Sequence, residues 1–285
     1  MYTAFNLKLK CTDFEDAEYY ANIGKQRINA LKHDSEDELN KFILADGTID
    51  GTGLSDKWFQ KVQSDVFISH SHNDEDLAFA LAGWLKNIFN LNVFMDEVIW
   101  GSADELIRIL DDEHCWQPTS ETYNYKTRNL TTGHVHAMLS TAIFSVMDKS
   151  EVIIFLNTKE SVPQISNVLN EDSKYTLSPW IYEELVATKL LRVTNWLEYR
   201  TQVALEHSYR EDSSENLKIA YKIPLDHLTN INISTLSLWK KYYQEYRPIL
   251  HEHGKLTWGH PLNYLYNLLF NPNDSTALCT LTPNQ

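Results

Sequence analysis

The chain has 285 residues and carries 39 acidic against 25 basic side chains, a formal net charge of −14. That excess disfavours non-specific attachment to nucleic acid or an anionic membrane, and no apolar run approaches the ~20 residues that span a bilayer. Cys11, Cys115 and Cys279 lie far apart with no metal-knuckle or disulfide spacing, and Met1–Lys10 lacks a signal-peptide pattern, so a soluble protein of the reducing cytoplasm is expected.

Residues 1–60 are mixed, with a helix predicted around Ala17–Leu31, and Asp46-Gly47-Thr48-Ile49-Asp50-Gly51-Thr52-Gly53 reads as a turn-rich linker. A calcium loop is ruled out there, because Trp58–Gln60 offer no closing acid. Val66, Phe67 and Ile68 form a short apolar run suited to a strand buried on both faces. The loop Ser69–His72 follows, and Asn73 is placed to cap a helix whose apolar positions are Leu77, Leu81, Leu85 and Ile88. That loop therefore joins a strand's carboxyl end to a helix's amino end, where open α/β sheets bind ligands. Leu91–Met95 reads as a second strand and Asp96–Ser102 as its loop. Residues 113–133 are polar, with no obvious packed element.

A helix is predicted to open at Thr132, with Val135, Met138, Leu139, Ala142, Ile143 and Val146 on one face. Val152–Leu156 is a continuous apolar strand, and Lys218–Ile223 a further strand ending at Pro224. Alternation of strands and helices over 65–224 predicts a parallel sheet covered on both faces and joined by right-handed crossovers. The aromatic segments Leu238–Tyr246 and Leu262–Phe270 are predicted as helices packed on that core.

The segment Ser178-Pro179-Trp180-Ile181-Tyr182-Glu183-Glu184-Leu185 carries the chemistry. Ser178 is a good N-cap and Pro179 suits the first helical position, where its missing N–H has no partner to lose. Positions i and i+4 share a helix face, so Trp180 and Glu184 border one pocket. Proximity to the helix amino end favours an ionised Glu184. Glu183 lies about 100° around the helix and is expected in solvent.

Taken together, these segments resemble the TIR domain, the Toll/interleukin-1 receptor and resistance-protein family, over roughly residues 60–225. Asp65-Val66-Phe67-Ile68-Ser69-His70-Ser71 is similar to the family's first strand and loop, and Val93-Phe94-Met95-Asp96 to its second strand. Glu151–Asn157 is similar to its third strand, and Gly101 falls in its mobile loop. Ser178, Trp180, Glu184 and Leu185 match its Ser-x-Trp-x-x-x-Glu-Leu signature. The resemblance implies a flavodoxin-like α/β domain over 61–225 with an insertion at 113–133, an N-terminal extension (1–60) and a C-terminal helical extension (226–285).

For function, the resemblance implies cleavage of the nicotinamide–ribose bond of NAD⁺, either by hydrolysis or with cyclisation or conjugation to a nucleotide signal. In that reading Glu184 is catalytic, and Trp180, Ser69, His70, Ser71, Asp96 and Trp100 bind substrate. NAD⁺ is the substrate, and neither a separate cofactor nor a metal is expected. Bacterial members imply a role in antiphage immunity, self-association and a downstream effector sensing the product. Two rivals stand beside it. One is a non-catalytic TIR interaction module. The other is a zinc hydrolase using His70, His72 and Asp74, because His-x-His-x-Asp after a strand is similar to the metallo-β-lactamase pattern, which continues with His where this chain has Glu75.

Overall fold

Apolar runs that are buried on both faces become the middle of a parallel sheet in the computed structural model, which describes residues 1–29, 39–44, 48–59, 64–96, 103–164, 174–193, 221–252 and 260–270. The chain begins with β1 (Thr3–Lys8), α1 (Ala17–Asn29), α2 (Gly51–Trp58), β2 (Val66–Ser69) and α3 (Glu75–Phe89). It continues through β3 (Val93–Phe94), α4 (Ala103–His114), a hairpin of β4 (Trp116–Gln117) and β5 (Thr122–Tyr123), and α5 (Tyr125–Lys149). Then come β6 (Val152–Leu156), β7 (Tyr175–Thr176), α6 (Pro179–Leu190), β8 (Tyr221–Lys222), β9 (Thr229–Asn232), α7 (Ile233–Glu252) and α8 (Pro261–Phe270).

Among the described residues, five parallel strands form one sheet in the order β3-β2-β6-β1-β9. Helices flank it, and the architecture is consistent with a flavodoxin-like fold. Every residue of β2 and β6 is buried, as the Val66–Ile68 and Val152–Leu156 runs predict. The sheet crosses the boundaries placed at residues 60 and 225. β1 sits between β6 and β9, pairing Phe5 with Ile154 and Asn6 with Asn230, and β9 forms the edge. The strand expected over 218–223 is not part of this sheet: β8 pairs antiparallel with β7 instead, Tyr175 opposite Lys222.

Right-handed crossovers assign α1 and α3 to one face of the sheet and α4, α5 and α6 to the other. The packing agrees: α1 lies along α3, α4 against α5, and α5 against α6. α7 and α8 join the α3 side. Trp239 stacks on Phe89 with ring centroids 3.9 Å apart and donates its indole N–H to the Pro261 carbonyl at 3.0 Å. Tyr266 donates its hydroxyl to Glu151, just before β6, at 2.7 Å. These helices are therefore packed on the core, as the aromatic content of their sequence predicts.

Two local starts differ from the sequence-based expectation. Asp50 accepts the Gly53 amide at 3.0 Å and so caps α2, turning the end of the Asp-Gly tract into a helix. Asn124 accepts the Lys126 and Thr127 amides at 3.0 and 3.2 Å, so α5 opens at Tyr125 rather than Thr132. The expected structureless stretch over 113–133 is thus the β4–β5 hairpin followed by the exposed amino end of α5. The buried Asp111 ties it down, accepting from Arg128 Nε at 2.7 Å, Thr131 Oγ1 at 2.5 Å and the Cys115 thiol at 3.3 Å. Cys115 is 1% exposed, and burial pushes its thiol upward, which makes it a poor nucleophile.

The tight crossing of α1 and α3 requires glycine. A Cβ built on Gly83 would stand 1.8 Å from the Tyr20 carbonyl oxygen, and one on Gly24 would stand 2.1 Å from that of Phe79. The obstacle in each case is backbone, which cannot rotate aside. Gly83→Ala is therefore expected to destabilise the protein. Overpacking on the order of 1–3 kcal/mol is set against the ~1 kcal/mol that alanine gains over glycine in a helix. Urea denaturation reads the difference, and an unchanged midpoint contradicts the close crossing.

Candidate functional site

The chain leaves β2 toward β3 on one side and returns to β6 on the other, so the carboxyl ends of β2 and β6 open where the strand order reverses. Ligands of open α/β sheets bind at such a point. The last residue of β2, Ser69, is 1% exposed, and its hydroxyl donates to Glu184 Oε2 of α6, a side chain only 3% exposed. A carboxyl removed from water needs such a donor. α6 is held in register as its sequence predicts, with the Ser178 hydroxyl accepting the Ile181 amide at 3.3 Å and Pro179 in the first turn.

Glu184 lies in the second helical turn, beyond the first turn where the macrodipole acts. Its anchor is therefore Ser69 rather than the helix end. Trp180, one turn earlier, is half-buried and stands edge-on to His136 of α5 with centroids 5.5 Å apart. Its indole N–H is buried without a hydrogen-bond partner among the described residues. Glu183 is not in solvent as expected: it is half-buried toward α5, where Ser140 hydrogen-bonds it, and burial raises its carboxyl above the usual range. Burial likewise lowers His136, favouring the neutral ring.

Strand alternation separates the residues expected to share the first loop. Ser69 is level with Phe155 and faces α6, so His70 is carried toward the opposite face. There it stands near Asp74 at the start of α3, whose carboxyl it helps to hold down. His70 is 8% exposed, and among the described residues neither ring nitrogen has a hydrogen-bond partner. Ser71 is half-buried, and its carbonyl accepts the Asp74 amide at 2.8 Å to open a 3-10 turn over His72–Asp74. Asn73 does not cap α3; it donates to Glu160 at 3.2 Å. Asp74 accepts the Thr158 hydroxyl at 2.5 Å, and the Thr158 amide donates to Ser161 Oγ at 2.9 Å. The loop after β6 is thereby clasped to the loop after β2.

Asp96 is half-buried just past β3, and Trp100 lies outside the described residues. Among the described residues, no three of His, Cys, Asp and Glu converge to hold a metal ion, so His70, His72 and Asp74 do not form the zinc set that their spacing suggests. The acidic first turn of α3, Glu75 and Asp76, also sets negative charge where a phosphate would lie.

Sequence reasoning missed three amides. Asn6 of β1, 4% exposed, accepts from Asn157 Nδ2 at 2.8 Å and donates to Asn230 Oδ1 of β9 at 2.7 Å. The signal that could have found them is an asparagine inside an apolar strand, Phe5-Asn6-Leu7, where β propensity disfavours it. Compared with known proteins, the chain matches no family model, no curated protein and no solved structure.

Burial raises the Asp74 carboxyl, Thr158 and His70 pull it back, and Glu160 adds to the rise. A group that binds its proton more tightly folded than unfolded favours the fold at acid pH, and that contribution is lost as pH rises through the folded value. Asp74→Asn, which keeps an acceptor for Thr158, is therefore expected to raise the melting temperature relative to wild type at pH 8 more than at pH 4. Melting curves at the two pH values check this, and the reverse order would show that Asp74 is stabilised as an anion.

Proposed function

We propose that the chain is a TIR-like enzyme that cleaves the nicotinamide–ribose bond of NAD⁺. The observation that carries this reading is the buried Glu184 carboxyl, held by Ser69 at the point where the strand order reverses, one helical turn from Trp180. The resemblance in sequence supplies the reaction, and the geometry supports it by bringing Ser69 and Glu184 together from segments 115 residues apart.

The chemistry suits these residue types. Nicotinamide leaves as a neutral base, because the substrate already carries the positive charge on the ring nitrogen, so no strong acid is required. The bond from ribose C1′ breaks with both electrons passing to that nitrogen, and positive charge grows on the sugar. A fixed carboxylate beside the ribose stabilises this oxocarbenium-like state. Water or another nucleophile then adds at C1′ and releases its proton. Trp180 supplies an aromatic wall for the base or sugar. In the resting arrangement Glu184 is covered and bonded to Ser69, so turnover requires that bond to exchange for ribose hydroxyls. Activation by self-association and by movement of the loop after β3 belongs to this proposal, as do the immune role and an effector that senses the product. No helix among the described residues is long and apolar enough to cross a membrane.

Pure protein incubated with NAD⁺ at high concentration is expected to release nicotinamide, read by chromatography. Glu184→Gln keeps an acceptor for Ser69 but removes the charge, and is expected to slow release by about 100-fold or more while melting like wild type. Full activity of this variant would refute the site. Absence of any release from wild type, concentrated or with infected-cell extract as trigger, favours a non-catalytic interaction module.

A further inference from the structure

The crevice at which the strand order reverses has two lips, the loop after β2 and the loop after β6, and ligands of open α/β sheets bind between such lips. Two side-chain hydrogen bonds span it. Thr158 of the second loop donates to Asp74 of the first at 2.5 Å, and Asn73 of the first donates to Glu160 of the second at 3.2 Å. With Glu184 3% exposed and Ser69 1% exposed, the crevice is shut. The lips do not depend equally on this clasp. Thr158 Oγ1 accepts the Glu160 and Ser161 amides at 3.1 and 3.2 Å, while Ser161 Oγ accepts the Thr158 amide at 2.9 Å and donates to the Leu156 carbonyl at 2.7 Å. The loop after β6 is thus a turn closed on itself, with a shape that survives loss of Asp74. Because amides occupy the Thr158 oxygen, its proton is left for an acceptor outside the turn. Asp74 is that acceptor.

His70 supplies an alternative partner on the near side. It belongs to the same lip as Asp74 and stands close enough to help hold that carboxyl down. Yet it is 8% exposed, and neither of its ring nitrogens is hydrogen-bonded among the described residues. A neutral imidazole carries one N–H, and burying that donor unpaired forfeits its hydration without return. Asp74 can therefore accept from Thr158 across the crevice or from His70 on its own side. In the closed arrangement it takes the first, and His70 goes unpaired.

We infer that the Asp74–Thr158 clasp is a latch over Glu184, and that it opens by transfer of the Asp74 carboxyl from Thr158 to His70. Opening exchanges one hydrogen bond for another, so the two arrangements lie close in free energy and a modest bias selects between them. It parts the lips and uncovers Ser69 and Glu184, while the turn over 158–162 remains as a fixed wall. The chain is thus held off at rest by its own loops. The latch governs access for any ligand of the crevice, and it rests on the NAD⁺ reading only where cleavage is the readout.

Labelling of carboxyl groups in the full chain with a carbodiimide and glycinamide, located by mass spectrometry, reads the cover over Glu184 without any substrate. Asp74→Ala removes the acceptor but leaves the turn after β6 intact. It is expected to speed labelling of Glu184 by roughly three- to tenfold, about one hydrogen bond's worth, and to raise NAD⁺ cleavage in the same proportion. His70→Phe keeps a ring in place but removes the nitrogens, so the open arrangement loses its hydrogen bond while the clasp is untouched. It is expected to slow labelling of Glu184 below the wild-type rate and to raise the melting temperature, whereas a merely structural histidine gives the reverse. This variant also decides the question should Asp74→Ala not fold. The latch is overturned if folded Asp74→Ala labels Glu184 no faster than wild type, or if His70→Phe fails to slow it. Labelling in the expected order without nicotinamide release from any form leaves the latch standing and removes the NAD⁺ reading. Release from wild type with equal labelling in all three forms does the opposite.

Discussion

A carboxyl that leaves water must be given a donor, and in this protein that obligation ties the sheet to the helix above it. Ser69 ends β2 and Glu184 sits in the second turn of α6, so their hydrogen bond fixes the height and rotation of α6 over the strand ends. Breaking such a pair in a buried setting leaves an unsatisfied group worth about 1–3 kcal/mol, more if it is charged. The register of α6 is therefore set from both ends, by the Ser178 cap at its start and by Glu184 further along. Trp180 and Glu183 follow from that register, one against His136 and the other against Ser140.

What is legible in the sequence is local. The Ser178–Pro179 helix start and the buried Val66–Ile68 and Val152–Leu156 strands rest on capping and on unbroken apolar runs, which need no knowledge of distant partners. The start of α5 escapes that reading because periodicity detects burial rather than helicity. Its first turns, with Tyr125 and Leu130 exposed, bury no continuous stripe, and only the Asn124 cap marks where it begins. Glu183 differs from expectation for a related reason: its direction around α6 is as the helix period requires, but α5 occupies the space assigned to solvent.

Pairing between distant strands is not legible at all. Thr3–Lys8 is six residues long and contains an asparagine, so it reads as part of a leading extension, yet it lies between β6 and β9. The same non-locality hides the linked amides Asn6, Asn157 and Asn230, which meet on neighbouring strands but lie far apart in the chain. At the first loop the residues are legible but their separate directions are not. Alternation along β2 sends Ser69 toward α6 and His70 toward Asp74, so a motif that reads as one patch in sequence divides between the two faces of the sheet.

The placement of β1 also governs how the molecule is made. Its contact with Asn157 spans 151 positions, so β1 stays unpaired while its partner is still being translated. At roughly 5–20 residues per second that interval lasts about 8 to 30 seconds. During it the apolar Phe5 and Leu7 are available to chaperones or to another nascent copy, and the hub of the sheet closes only after translation has passed β6 and β9.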